Sequence, residues 1–309
     1  MVTAAQLEVV SSALVNHAMG HNGIGFLQRI VLAAGSEPLT DLQLSADLVD
    51  SAGAILTRPW QHHLDALDAG GCVVLDNPPV RLDPAAISTV EEPTHAELRV
   101  TVTASGMPVA HLGAPVRVLA ARQWLLEPTA AVLSLELLAA FVQPNHPAVA
   151  GVLGEVATAL EKATRSGSLA VSHVSPERID AIVAAVCQVL LDRGIYYAEP
   201  PASWGYGQLV RSPGDVLEHR VGTCLDTTVT LASVLEHLGL APVLWIARGH
   251  AFCGYWRRPD AALPDAASLQ TALGVNAVDL GLMGVIETTM LTRERRPPAD
   301  LFRRVSQAP

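Results

Sequence analysis

Lysine is almost missing from this 309-residue chain, where Lys162 stands alone against many arginines. A GC-rich codon bias accounts for that, and it argues against a protein that crosslinks itself through lysine. Charged residues make up only 16% and aromatic ones 4%, while half of the chain is hydrophobic, so a large core can be buried and disorder is excluded. Net charge is −10 and the basic residues are scattered, with no Lys/Arg run interleaved with aromatics. An electrostatic nucleic-acid footprint is therefore not expected. No apolar run reaches bilayer length, since AAVLSLELLAAFV is short and interrupted by Glu136. The opening MVTAAQLEVVSSALVNHAMG has no basic n-region and carries Glu8, so a secretory leader is not expected. Cysteine is scarce as well. Cys72, Cys187, Cys224 and Cys253 lie far apart without framework spacing, which fits free thiols in a reducing cytoplasm.

What is present falls into two halves, with a boundary at Glu127–Pro128 that divides the chain into 1–127 and 128–309. In the first half, IGFLQRIVLAAG, TDLQLSADLVD, GCVVLDN, HAELRVTVTASG and APVRVLAARQW are short apolar or alternating runs separated by turn residues. That spacing predicts a β-sandwich, immunoglobulin-like in kind, with a structural or interaction role. His62 and His63 follow Trp60 there; a shared metal is not expected of them, because neighbours on a strand face opposite ways, and a loop or surface pair fits better. The second half turns helical. Thr129–Val142 and Pro147–Thr164 are predicted helices, and Ser175-Pro176-Glu177 starts a third whose stripe is Ile179, Ile182, Val183, Val186 and Leu190. Tyr196, Tyr197, Trp204 and Tyr206 cluster on a proline-stiffened stretch that either lines a cleft or packs onto the core.

The most informative stretch is GTCLDTTVTLASVLEHLGLAPVLWIARGHAFCGYW, Gly222 to Trp256. Cys224 opens a segment of helical spacing, Gly239 closes it, and Pro242–Ile246 and His250–Trp256 read as two strands around a tight turn. A thiol attacks a carbonyl only as thiolate, and a helix amino terminus favours that anion through its partial positive charge and unpaired N–H groups. A histidine alongside can take the proton and return it to a leaving group, and a carboxylate behind the imidazole would fix its orientation. Glu287 in VIETTML, read as a short strand, is the candidate carboxylate, with Asp279 in reserve. Gln208 has a side-chain amide that could donate to an oxyanion or serve as a structural hydrogen bond. Zinc held by Cys224, His250 and Cys253 is disfavoured because the last two would face opposite sides of one strand. Asp226, in the first turn of the helix, suits its dipole and carries no catalytic part.

The three blocks GTCLDTTVTLASVLEHLG, GHAFCGYW and VIETTML resemble the catalytic blocks of the transglutaminase-like cysteine hydrolases. The third block of that superfamily commonly reads Asp-Pro-Thr, where this chain has Glu287-Thr288-Thr289. FVQPNHPAV, YYAEPPASWGYGQLVRSP and TTMLTRERRPPADLFRR are similar to the amino-terminal region of large bacterial helicase-related proteins of superfamily one. The resemblance implies an α+β chain in which a papain-like, transglutaminase-like domain follows the sandwich. It implies a thiol-dependent amide hydrolase, a cysteine protease first of all, with Cys224, His250 and Glu287 as triad and Trp204, Tyr206 and Gln208 about the cleft. No cofactor or metal is implied. Acyl transfer of the transglutaminase or deamidase kind, and a non-catalytic recognition module, are the alternatives. A protein or peptide substrate and a helicase-like region, in this chain or a neighbour, are the partners implied; nucleic acid and membrane are not.

Overall fold

The computed structural model describes residues 5–125, 135–199, 207–247, 249–258 and 271–293. It divides into two compact units, Met1–Leu125 and Leu126–Pro309. The boundary read from the sequence, Glu127–Pro128, lies outside the described residues, as does the basic stretch beyond residue 293. The chain mixes helix and sheet in the manner of the α+β class.

The first unit is built from strands β1 (Ala5–Ser11), β2 (Leu14–Val15), β3 (Leu27–Ala34), β4 (Leu39–Asp50), β5 (Gln61–Leu67), β6 (Cys72–Asp76), β7 (Thr94–Ala104), β8 (Met107–Val118) and β9 (Gln123–Trp124). Two helical turns, α1 (His17–His21) and α2 (Pro84–Ile87), are capped by the side chains of Asn16 and Asp83. The larger sheet has the order β2-β8-β7-β4-β5 and the smaller β1-β3-β6. Strand alternation decides which residues meet. Along β4, Leu42, Leu44, Ala46 and Leu48 are wholly buried, and β7 adds Leu98, Val100 and Val102. Ile30 and Leu32 of β3 join them in one core, so the two sheets share their apolar faces.

Three strands of the first unit were not read from the sequence. Strands β1 and β2 lie in the stretch considered only as a leader, and β5 carries the His62–His63 pair that was assigned to a loop or surface. The physical reason for β5 is its place at a sheet edge, where QHHLDAL stays largely exposed and needs no apolar alternation. His62 stacks on Trp60, with ring centroids 6.2 Å apart, and His63 lies 3.3 Å from Asp65.

The second unit contains α3 (Pro147–Ala150), α4 (Leu153–Thr164), α5 (Pro176–Asp192), the short strands β10 (Tyr196–Tyr197) and β11 (Gln208–Leu209), α6 (Pro213–His219), β12 (Val221–Gly222), α7 (Cys224–His237), β13 (Pro242–Ala247), β14 (His250–Trp256), α8 (Thr271–Asp279) and β15 (Met283–Ile286). The helix expected over Pro147–Thr164 is two, broken at Gly151 and Val152, where glycine carries the largest backbone entropy cost of helix formation. Of the helix expected over Thr129–Val142, the described part ends in a 3-10 turn at Leu138–Phe141. Helix α5 starts at the Ser175 cap with Pro176 in its first turn and buries Ile179, Ile182, Val183, Val186 and Leu190.

Helix α7 is the hub of this unit. Every residue from Cys224 to Leu235 is buried, which marks a helix enclosed on all sides. Its leucines and valines pack with the α5 stripe and with Cys253 and Tyr255 of β14. Its polar residues satisfy themselves locally. Thr230 donates to the Asp226 carbonyl at 2.8 Å, and Ser233 donates to that of Val229 at 2.7 Å while accepting from the Gln143 backbone N–H. Strands β13, β14 and β15 form one antiparallel sheet in that order, pairing Leu244 with Cys253 and Cys253 with Ile286.

The shared core of the first unit makes a direct demand. Leu98→Ala, on the central strand β7, should cost about 2–5 kcal/mol of unfolding free energy in a urea titration; a loss below 1 kcal/mol would mean that the two sheets do not close over it.

Candidate active site

Thr223 ends a loop in extended conformation and caps α7, accepting from the Asp226 N–H, while the Asp226 carboxylate accepts from the Thr223 N–H at 2.9 Å. This reciprocal capping box fixes the helix start, so that Cys224 is its first residue. The N–H groups of a first turn have no partners within the helix, and the macrodipole places partial positive charge there. The Cys224 sulfur thus belongs to a residue set where an anion is favoured. Cys224 is itself buried.

The candidate base arrives on β14. His250 is the first residue of that strand, entered through the glycine turn at Gly249, whose φ of 73° suits a residue without a side chain. His250, Phe252 and Gly254 share one face of the strand, and Cys253 lies on the other, within the core against α7. On the face of His250, Phe252 stacks at a centroid distance of 6.2 Å from the imidazole and 5.6 Å from Trp245. Gly254 completes this face, since a Cβ there would stand 2.7 Å from the Trp245 Nε1.

The acid lies one residue beyond the end of β15. Glu287 was read as a strand residue; it is instead the cap of a 3-10 turn, Thr288–Leu291. Its Oε2 stands 2.7 Å from His250 Nε2. Its Oε1 accepts from the Thr289 N–H at 2.9 Å and the Thr289 hydroxyl at 2.6 Å. Both oxygens are therefore held, and Cys224 stands near enough to the imidazole to raise its pKa. Asp279, the reserve candidate, closes α8, and the carboxylate partner of the imidazole is Glu287.

Electrostatics follow from these contacts. Hydrogen bonding to the Cys224 thiol, and then to the Glu287 carboxylate, lifts His250 to about 9 against the opposing effect of burial. Burial alone would raise Glu287, but the hydrogen bonds from His250 and Thr289 outweigh it and hold its carboxyl below the usual range. The pair is thereby favoured as imidazolium and carboxylate. The thiols of Cys187 and Cys253 have no such setting; burial pushes both up, Cys187 to about 12. Among the described residues, no group of three or more His, Cys, Asp or Glu is placed to hold a metal ion.

Several supporting residues escaped the sequence reading. Thr288 and Thr228 bond hydroxyl to hydroxyl at 2.9 Å, Thr227 reaches Thr288 at 3.2 Å, and Thr228 donates to the Cys224 carbonyl at 2.7 Å. The turn that carries the acid is thereby fastened to the turn that carries the thiol. The available signal was three threonines among the four residues after Asp226, unusual in a helix because β-branched hydroxyl residues favour other structures. Asp226 was assigned only a role at the helix dipole. It also accepts from the Arg211 N–H at 2.7 Å and the Arg211 guanidinium at 2.8 Å, with its own side chain fully buried. The segment of Gln208 and Arg211 is thus bound to α7. Gln208 is buried, and its amide donates to the Leu209 carbonyl at 3.3 Å. Trp204 and Tyr206 lie outside the described residues. The Asp226 pairing sets an expectation: Asp226→Ala leaves the Arg211 charge and two N–H groups without their acceptor, and should cost about 3–5 kcal/mol in thermal or urea unfolding. A variant as stable as the parent would mean that the pair carries no weight.

Against known proteins, no family model matches the chain and no curated protein matches it in sequence. Among solved structures, it is similar over 37% of its length to 11% of a β-glucuronidase of glycoside hydrolase family 2, with 11% identity and a TM-score of 0.19. It is similar over 38% to 31% of the alkylpurine DNA glycosylase AlkC of Pseudomonas fluorescens, with 17% identity and a TM-score of 0.24. It is also similar over 38% to 72% of a protein described as late embryogenesis abundant (LEA), with 13% identity and a TM-score of 0.25. The chain thus spans about a tenth of the first of these structures and under a third of the second, and likenesses of this size carry no argument about its chemistry.

Proposed function

We propose that the second unit is a transglutaminase-like, papain-like domain acting as a thiol-dependent amide hydrolase, most simply a cysteine protease, and that the first unit is an immunoglobulin-like sandwich. One observation carries this reading: the His250 imidazole stands 2.7 Å from the Glu287 carboxylate, and the nearby Cys224 thiol is the first cause of its raised pKa. Three segments far apart in sequence meet in the order that acyl transfer through a thioester requires.

In this mechanism the Cys224 thiolate attacks the carbonyl carbon of an amide, and the C=O electron pair moves to oxygen. The oxyanion is stabilised by the Cys224 N–H at the helix start, with Gln208 as a candidate second donor. Collapse breaks the C–N bond as the imidazolium gives its proton to the departing amine. Water then attacks the thioester, His250 takes its proton, and the carboxylic acid leaves as thiolate and imidazolium are restored. Glu287 holds the ring in the tautomer and tilt that make both transfers possible. The same thioester would serve transfer to an amine, so assays with water and amine in competition distinguish hydrolase from transferase. A peptide or protein is the substrate this chemistry fits, and a helicase-related region is a proposed partner on the strength of the sequence resemblance alone.

The test is a thiol-directed peptide probe on the whole chain. Labelling should occur at Cys224, vanish in Cys224→Ala, and fall by about 10²–10⁴ in rate in His250→Ala. Equal labelling of Cys72, which is exposed, and of Cys224 in both the parent and the histidine variant would sink the proposal.

A pH dependence follows from the same pair. Because His250 is lifted to about 9 in the folded chain, amide hydrolysis should persist through neutrality and fall as pH passes that value. Its charge also favours the folded state fully below the unfolded histidine value near 6.5, a contribution lost as pH rises through about 9. Glu287→Gln removes the anionic partner and should move the falling limb down by about one unit or more. An unmoved limb would show that the carboxylate does not govern the imidazole.

A further inference from the structure

Three arginines from three separate segments line one pocket of about 360 Å³ in the second unit, together with Glu155 and Asp192. A small ladder gathers them. Tyr196 pairs with Val221, and Ile195 bridges to Thr292, which sets Arg193, Arg220 and Arg293 at the ends of adjacent extended pieces. The charges do not cancel. Arg193 is tied to Glu155, and Asp192 accepts from the Gln188 amide at 2.7 Å. Among the described residues, the Arg293 side chain meets neutral groups only, donating to the Tyr196 hydroxyl at 2.9 Å and lying over that ring at 5.0 Å. Arg220 makes no side-chain hydrogen bond or ion pair among the described residues, and its backbone sits in the left-handed region, with φ 55°. Three guanidinium groups against two carboxylates leave the pocket positive on a chain of net charge −10.

From this we infer that the pocket binds a small oxyanion, a phosphate or carboxylate group, gripped between Arg220 and Arg293. Guanidinium forks match the planar oxygens of such groups, and each contact is charge-assisted. The competing explanation is that Arg193 and Arg220, both at helix carboxyl ends, only complement the helix dipoles. That leaves the charge of Arg293, which follows a 3-10 turn by two residues and rests on Tyr196, with no carboxylate against it among the described residues. The site lies four residues before Cys224, so Arg220 and Cys224 have Cα atoms no more than about 14 Å apart. An anionic group of a substrate could therefore be held within a few residues of the thiol, although anion binding itself does not depend on the proposed chemistry.

Calorimetric titration of the whole chain at constant ionic strength tests the inference, with inorganic phosphate in one arm and N-acetylglutamate in the other. Binding of either is expected, and the tighter arm identifies the group. Arg220→Gln should weaken it at least ten-fold, and so should Arg220→Gly, which suits the left-handed backbone and is expected to fold at least as well. Arg58→Gln, an exposed arginine of the first unit, should bind as the parent does. No heat in either arm, or Arg220 variants that bind like the parent, would overturn the inference and leave the arginines as helix-end charges.

Discussion

Three buried threonine hydroxyls set the distance between two turns, and the candidate site exists only as long as they do. Thr227, Thr228 and Thr288 meet beside the Cys224 carbonyl, with the first two on the nucleophile helix and the third next to Glu287. A buried hydroxyl without a partner costs on the order of 1–3 kcal/mol, so each of the three enforces the position of the others. The helix end, the turn after β15 and, through Glu287, the imidazole of β14 are thus held as one body.

A second constraint acts from the opposite side of the same turn. Asp226 is wholly buried and negatively charged two residues from the thiol, a placement that would oppose a thiolate if the carboxylate stood alone. The Arg211 guanidinium and two backbone N–H groups neutralise and solvate it. The helix therefore keeps the cap it needs without adding a bare negative charge near sulfur. Segment 207–211 is attached to the helix by this pair, so the loop bearing Gln208 cannot drift from the site independently.

How much of this the sequence disclosed depends on the kind of signal. The order of Cys224, His250 and Glu287 was readable because a helix start, a glycine turn and a β-branched run each leave local marks. The apolar stripe of α5 and the inward leucines of β4 were readable from period alone. Strand β5 was not, because an edge strand may expose both faces and QHHLDAL then looks like a loop. The break between α3 and α4 turned on one glycine in an otherwise helical pattern. Glu287 stands against the imidazole but not on a strand as read; the one-residue step beyond β15 depends on Thr289 folding back onto its carboxylate. The threonines after Asp226 were a signal, but their partners and that of Arg211 could not be read, because the contacts join residues up to 61 positions apart.

Gly254 extends these constraints along the strand. With no side chain, it lets the indole of Trp245 settle flat against the sheet, and that indole lies against Phe252, which in turn lies against His250. A methyl group at this position, four residues from the imidazole, would wedge the aromatic row outward and tip the ring away from the sulfur. The pose of the imidazole in such an arrangement rests as much on an atom that is missing as on those that touch.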